Sequence, residues 1–425
     1  MSENHNQGSR MNPNLIARSS VLAVALLTAG VVMAQPQFQR FAERAQRPRH
    51  NPNPPVVPGS GAVFGDPLPG LNAAQLAAFA VGKEEFENVE TADGGLGPIF
   101  NNNSCVACHS SGATGGASDV LVTRFGRMFR GHFDPLAEKG GSLLQQFAID
   151  PAVQEVIPPE ANVIAHRQST PLFGLGLIEA IPDDAVRQNA RRQKPDGVAG
   201  RVSEIVDITT GQHRVGRFGW KAQLASLLAF AGDAYLNEMG ITSRFFPVEN
   251  APNGNTALLA AFDHFADPED EADPVTEKGD IDAAADFMRL LAPPPRLPLT
   301  QSGRAGEMVF GQVGCAVCHQ PTMITGRSPV AALDRKPVNL FSDLLLHDMG
   351  ALGDGIGQEP AGPREMKTPP LWGLRASGPY LHDGRAATVD EAIRGHDGEG
   401  AKARERYNRL SPQQRRQLIE FLNTL

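Results

Sequence analysis

The chain has 425 residues, a net charge of −8 and 41% hydrophobic residues, enough to bury a core in two or three units. Its acidic balance, with no basic stripe, excludes an electrostatic nucleic-acid binder. No segment after the first 34 residues is apolar enough to span a membrane.

At the N-terminus, Arg10 and Arg18 precede an uncharged run over residues 21–27 that continues to Ala34, just before Gln35. A positive region, a short apolar stretch and a small residue read as a cleaved signal peptide over residues 1–34, so a soluble periplasmic protein is expected. A spanning helix needs about 20 apolar residues, more than this run supplies; an uncleaved anchor is the alternative. Removing residues 1–34, which carry Glu3, Arg10 and Arg18, from 425 leaves 391 and moves the charge from −8 to −9. Residues 35–62 are rich in Pro, Asn, Gln and Arg without hydrophobic periodicity, and read as a disordered leader.

Residues 63–292 form the expected first unit and contain Cys105-Val106-Ala107-Cys108-His109. A second pentad, Cys315-Ala316-Val317-Cys318-His319, uses the remaining two cysteines. In this pattern two thiols add to the vinyl groups of a haem and the adjacent histidine becomes the proximal iron ligand. A zinc ribbon would bring its two Cys pairs within roughly 20 residues of each other. A thioredoxin-type dithiol has no use for a following histidine twice over. Structural disulfides would not cluster as two identical pentads. Two covalently bound c-type haems are therefore expected, with Cys105, Cys108, Cys315 and Cys318 as attachment points and His109 and His319 on the irons.

Between the pentads, Arg201-Val202-Ser203-Glu204-Ile205-Val206-Asp207 is one of few strand signals. Acidic residues 263–286 read as a solvated loop and helix start. Residues 293–298, within Ala292-Pro293-Pro294-Pro295-Arg296-Leu297-Pro298, cannot be helix interior and read as a linker. Beyond it, residues 299–425 have the size of one cytochrome c domain. That unit ends in a well-specified helix: Ser411 caps it, Pro412 opens it and Gln414 completes a capping box, while Leu418, Ile419, Leu422 and Leu425 line one face. A weak repeat relates the two units. Ser169-Thr170-Pro171-Leu172-Phe173-Gly174-Leu175 follows the first pentad and Thr368-Pro369-Pro370-Leu371-Trp372-Gly373-Leu374 follows the second. The expected fold is mainly α: two cytochrome c-like haem domains with long loops, the N-terminal one enlarged.

Four further blocks carry a resemblance. Gly174-Leu175-Gly176-Leu177-Ile178-Glu179-Ala180-Ile181-Pro182, Gly216-Arg217-Phe218-Gly219-Trp220-Lys221-Ala222, Asp343-Leu344-Leu345-Leu346-His347-Asp348-Met349-Gly350 and Tyr380-Leu381-His382-Asp383-Gly384-Arg385-Ala386 resemble the bacterial di-haem oxidoreductase family, also labelled thiol oxidoreductase. That family is related to the di-haem cytochrome c peroxidases and to the methylamine-utilisation maturation enzymes. The resemblance implies a second axial ligand on haem 2 fourteen residues beyond His382, at His396, with Met349 as its rival. His347 and His382 would then line the haem pocket or bond to propionates. Around the first pentad the peroxidases carry a removable histidine in a Gly-rich loop; here Thr123-Arg124-Phe125-Gly126-Arg127 holds none, and His132 and His166 come later. An open iron would need an acid/base group, and Glu179 in its apolar stretch is the candidate, an ion pair or a capping role being its alternative. Trp220 or Trp372 could lie between the haems. The loop Asp196-Gly197-Val198-Ala199-Gly200-Arg201 leaves calcium open.

The expectation is a periplasmic di-haem oxidoreductase. A small periplasmic electron-transfer protein would deliver electrons to haem 2, and haem 1 would react with a small oxidant, peroxide being the most concrete. The alternatives are a non-catalytic di-haem electron-transfer cytochrome and a long-range oxidase of a partner protein. Thiol oxidation has the least support, because haem takes all four cysteines.

Overall fold

Asn72 starts the first helix with a reciprocal capping box, accepting from the Gln75 N–H while the Gln75 side chain accepts from its own. The computed structural model to which this helix belongs describes residues 63–425, all within one compact unit. The signal peptide and leader expected from sequence lie outside the described residues.

That helix, Ala73–Glu87, packs along Asp280–Leu290. Gly82 makes the approach: a Cβ there would lie 2.2 Å from the Ala283 carbonyl oxygen, so the two backbones touch. Phe287 then meets Phe79 at 5.3 Å and Phe86 at 4.9 Å between ring centres. Burying each such ring is worth about 1.5–3 kcal/mol. The helix Leu227–Ala234, capped by Ser226, runs on as a π-turn over Tyr235–Met239. The Glu238 and Met239 carbonyls accept from the Asn101 and Gly97 N–H groups, which fixes the segment leading into the first pentad.

Strand content exceeds the sequence expectation. Leu121–Phe129 pairs with His132–Asp134, Leu143–Leu144 and Val163–Gln168, all antiparallel, with Leu121 opposite Gln168 and Gly126 opposite Val163. Its glycine and arginines suggest a loop, but Thr123 and Phe125 alternate inward and supply the burial a strand needs. The expected strand near residue 201 is present as Ser203–Asp207, paired with Gln212–Gly216. The regular structure among the described residues is thus eleven α-helices alongside five small sheets.

Residues 293–300 carry no regular structure, and Thr300 then caps the helix Gln301–Val313. That helix ends on Gly314 at φ +96°, a left-handed cap that turns the chain straight into the second pentad. The terminal helix Pro412–Leu422 has the expected Ser411–Gln414 capping box. It lies against Gln301–Val313, where a Cβ on Gly306 would come within 1.9 Å of the Gln417 carbonyl oxygen. Phe310, Phe341 and Phe421 form the core between them, 5.4–6.0 Å apart. Leu418 and Leu422 face inward as expected, and Phe421 joins them, whereas Ile419 is only half-buried.

The two repeat blocks share one backbone conformation: Gly174 (φ +71°, ψ +11°) and Gly373 (φ +72°, ψ +10°) each open a helical turn. A Cβ on Gly174 would strike the Trp372 ring at 2.8 Å and Pro293 at 3.0 Å; one on Gly373 would strike Pro294 at 2.8 Å. The proline segment is therefore wedged against both blocks.

Candidate functional site

Both pentads close one helical turn. The His109 N–H donates to the Cys105 carbonyl at 3.0 Å and the His319 N–H to that of Cys315 at 2.9 Å. Each ring then donates from Nδ1 to a backbone carbonyl, His109 to Gly116 at 3.1 Å and His319 to Phe341 at 3.0 Å. A carbonyl only accepts, so the proton sits on Nδ1 and the Nε2 lone pair is left for a metal. Burial lowers both rings to about 4 and keeps them neutral. All four cysteines are free of disulfides, and burial raises the Cys108 and Cys315 thiols to about 12.

Beside the second pentad lies a largely apolar cavity lined by His319, His396, Met349, Trp372, Lys367 and Arg404. His396 faces His319 with ring centres 6.4 Å apart and planes at 64°. Its Nδ1 donates to the Ala392 carbonyl at 2.9 Å, which frees its Nε2 as well. One metal between two imidazoles, with bonds of about 2.0–2.1 Å and about 1.1 Å from nitrogen to ring centre, separates the centres by about 6.3 Å. Met349 lines the same cavity, and its methyl lies close to the His396 ring: a Cβ built on Gly400 would meet the ring at 3.3 Å and the methyl at 3.5 Å. Lys367 is buried, reaches only the Thr368 carbonyl at 3.5 Å, and is lowered to about 8 by that burial despite Asp343 nearby. A buried ammonium without a close anion suits a ligand that brings carboxylates. Two thiols, two facing imidazoles, an apolar cavity and an unsatisfied cation fit a haem.

His347 and His382 line the same cavity. His347 is held from both sides, Nε2 by Asp343 at 3.1 Å and Nδ1 by Glu399 at 2.7 Å, and Lys194 also reaches Asp343 at 2.6 Å. Burial works against a charged ring, but Asp343, Cys318 and Glu399 outweigh it and raise His347 to about 11. Trp220 and Trp372 both border the cavity; Trp220 donates to the Gln168 carbonyl at 2.8 Å and meets His382 edge-on at 6.2 Å.

Around the first pentad the side chains differ. Phe86 lies 6.0 Å from the His109 ring and Asn102 reaches the Cys108 sulfur at 3.7 Å. Burial raises the Glu238 and Asp233 carboxyls, and Arg124 works against that shift in both. The Arg124 Nε is buried without a hydrogen-bond partner. His132 and His166 are exposed on strands, and His166 meets the Thr123 hydroxyl at 3.3 Å. Glu179 has both oxygens engaged: Oε2 accepts from Arg289 at 2.7 Å and Oε1 from the Leu227 N–H at 2.7 Å. Its ion-pair partner is thus Arg289, whereas Arg167 pairs with buried Asp354 at 2.6 Å. Asp196, in the loop that left calcium open, is engaged by Arg406 at 2.6 Å.

Several residues gave no sequence signal of their role. Arg217, 1% exposed, donates to the Ile178, Glu179, Ile181 and Val215 carbonyls and pairs with Asp183, tying two of the quoted blocks together. Lys221, fully buried, binds Asp354 at 3.0 Å and the Glu365 carbonyl at 2.6 Å. Glu238 sits in an unremarkable stretch, and only its π-turn places it beside Cys108.

Residues 155–425, well over half of the chain, match the family described as "Di-haem oxidoreductase". The match includes the second pentad and all four quoted blocks; the first pentad lies upstream of it. The chain is 31% identical over 136 residues to the methylamine utilization protein MauG of Methylorubrum extorquens, covering 29% of this chain and 33% of that protein. It is 26% identical over 212 residues to the cytochrome c peroxidase of Escherichia coli, covering 48% and 44%. The chain thus spans between a third and a half of these relatives' lengths. Among solved structures, a variant of the di-haem peroxidase BthA of Burkholderia thailandensis aligns over 87% of this chain and 88% of its own at 15% identity, with a TM-score of 0.36, too low to carry an argument. With the second pentad, its facing imidazoles and all four blocks inside the matched residues, the chain belongs to the di-haem oxidoreductase family and carries a site for each of two haems.

Proposed function

We propose that this chain is an exported c-type di-haem oxidoreductase that takes electrons from a small donor protein at the second site and reduces peroxide at the first. The observation that carries the reading is the asymmetry between the pentads. His319 has His396 facing it at the spacing of a doubly ligated metal, while His132 and His166, the candidates near His109, are exposed on strands. Thioether attachment at Cys105, Cys108, Cys315 and Cys318 is part of the proposal, as is export by way of residues 1–34. No helix among the described residues is long and apolar enough to cross a membrane.

Bound haem would supply the one-electron chemistry, held by Cys105, Cys108 and His109 at the first site and by Cys315, Cys318 and His319 at the second. The chain's residues do the rest. Lys367 and Arg404 at the second site, and Arg124 at the first, offer charge to propionates. Trp372, resting on Gly174 beside the second-site cavity, offers a packed path toward the block that follows the first pentad. The overall reaction consumes two electrons and two protons per peroxide and yields two waters, so an acid/base group is needed at the first site. Glu238, raised by burial beside Cys108, is better placed to carry a proton than Glu179, whose two oxygens are already engaged.

The test is a haem count and an EPR spectrum of the ferric protein, followed by turnover with a reduced small cytochrome and peroxide. Two haems per chain, one high-spin and one low-spin signal, and turnover well above free haem are expected. Two low-spin signals with no turnover would make the protein a pure electron-transfer cytochrome.

A further inference from the structure

Thr242 follows the π-turn that abuts the first pentad, and three carboxylates converge beside it. Its hydroxyl lies 2.6 Å from Asp267 Oδ1 and 2.5 Å from Glu269 Oε2, and its N–H donates to that same Glu269 oxygen at 2.6 Å. Glu249 comes in from the other side. It is 6% exposed, and neither of its carboxylate oxygens has a hydrogen-bond partner. Ligand oxygens of Glu249, Asp267 and Glu269 lie within 4.8 Å of one another. No ion pair among the described residues reaches any of the three. Burial, then Glu269, Asp267 and Asp263, push Glu249 up to about 9, and the adjoining Asn250 amide offsets little of this.

A buried carboxylate with no ion-pair partner and two like charges beside it is costly unless a cation or a proton neutralises it. All the donors are oxygen, which selects a hard cation over zinc or copper. Coordination then discriminates. Magnesium demands near-ideal octahedral geometry, keeps several waters and is bound by one or two carboxylates, whereas calcium takes six to eight oxygens in flexible geometry. Three carboxylates gathered at one place therefore suit calcium. Asp267 is exposed, so water can complete the six to eight ligands that calcium takes.

We propose that Glu249, Asp267 and Glu269 bind one calcium ion, at a place separate from both pentads and from the Asp196 loop. The ion joins the segment after the π-turn, residues 241–250, to residues 263–270, and so stiffens the flank of the first haem site.

The experiment uses the full haem-loaded chain, stripped with chelator and equilibrated with calcium chloride, with metal content measured by mass spectrometry. Glu249→Gln and Asp267→Asn should each hold one calcium fewer per chain than the parent. Each should also lose the rise in melting temperature that calcium gives the parent, and magnesium at equal concentration should leave that temperature nearly unchanged. Equal calcium content in parent and variants, or none in the parent, overturns the site. Preference for magnesium overturns the assignment to calcium. Asp267 is on the surface, so its variant carries the test if Glu249→Gln does not fold.

Discussion

Replacing His396 with alanine separates structure from ligation. The ring contributes one hydrogen bond, from Nδ1 to the Ala392 carbonyl at 2.9 Å, and half-buried packing, so its removal costs the fold about 1–2 kcal/mol. At about 2–4 °C per kcal/mol for domains of 150–250 residues, and less for a larger unit, the melting temperature should drop by only a few degrees. The ligand effect is all-or-none. With ring centres 6.4 Å apart, His396 is within bonding reach of a metal on His319, and alanine leaves that position to water. The expected result is a haem-replete protein with near-parental circular dichroism whose low-spin ferric EPR signal has become high-spin. His396→Met should restore the low-spin signal and raise the midpoint potential, since thioether in place of imidazole favours the ferrous state. An unchanged low-spin signal in His396→Ala would refute the reasoning and direct attention to Met349, which Met349→Leu would then test.

Arg217→Met leaves Asp183 to Arg214 alone, at 2.9 Å, so the loss should lie at the lower end of the 3–5 kcal/mol range for breaking a buried pair, about 3 kcal/mol; a urea titration showing less than 1 kcal/mol would count against this. Asp343 bears on acid stability. Burial raises its carboxyl, but His347 and Lys194 outweigh that and bring it from 3.8 to about 2. A carboxyl held low in the fold stabilises above its unfolded value and loses that contribution as pH falls through the folded one. Parental stability should therefore decline by on the order of 2 kcal/mol between about pH 4 and pH 2 from this group, with Asp343→Asn starting lower and showing a shallower acid limb in urea titrations at each pH. Glu238→Gln should reduce peroxide turnover by about 10²–10⁴-fold, the usual contribution of a proton carrier, while Glu179→Gln changes it little; the reverse order in steady-state rates would restore Glu179 as the acid/base group.

Local chemistry made much of this molecule readable. The pentads, the Ser411 cap and the Gly174 and Gly373 turns declare themselves because each is set by a few neighbouring residues. His396 needed more, a spacing borrowed from related proteins; its ring lies 6.4 Å from that of His319. What escaped depends on chain segments far apart in sequence. The longest pairing in the sheet around Leu121–Phe129 is with Val163–Gln168, with Leu121 opposite Gln168, and its arginines disguise the two inward side chains. Arg217 looks like surface charge until Ile178, Glu179, Ile181 and Asp183, all from one distant segment, close over it. Residues 263–286 read as solvated because Glu249, the buried partner of Asp267 and Glu269, lies outside that stretch.

The proline wedge has a consequence for electron flow. Tunnelling rates fall steeply with distance, so a two-centre protein needs a gap that does not drift. At Gly174 the obstacle to closer approach is an indole ring and a proline, and at Gly373 another proline, each meeting bare main chain. A main-chain surface offers no rotamers through which thermal motion or mutation can shift the spacing. Any side chain added at either glycine would push the main chain away from the prolines and the indole that it meets. The chain thereby acts as its own spacer, with its calibration written in two residues that have no side chain.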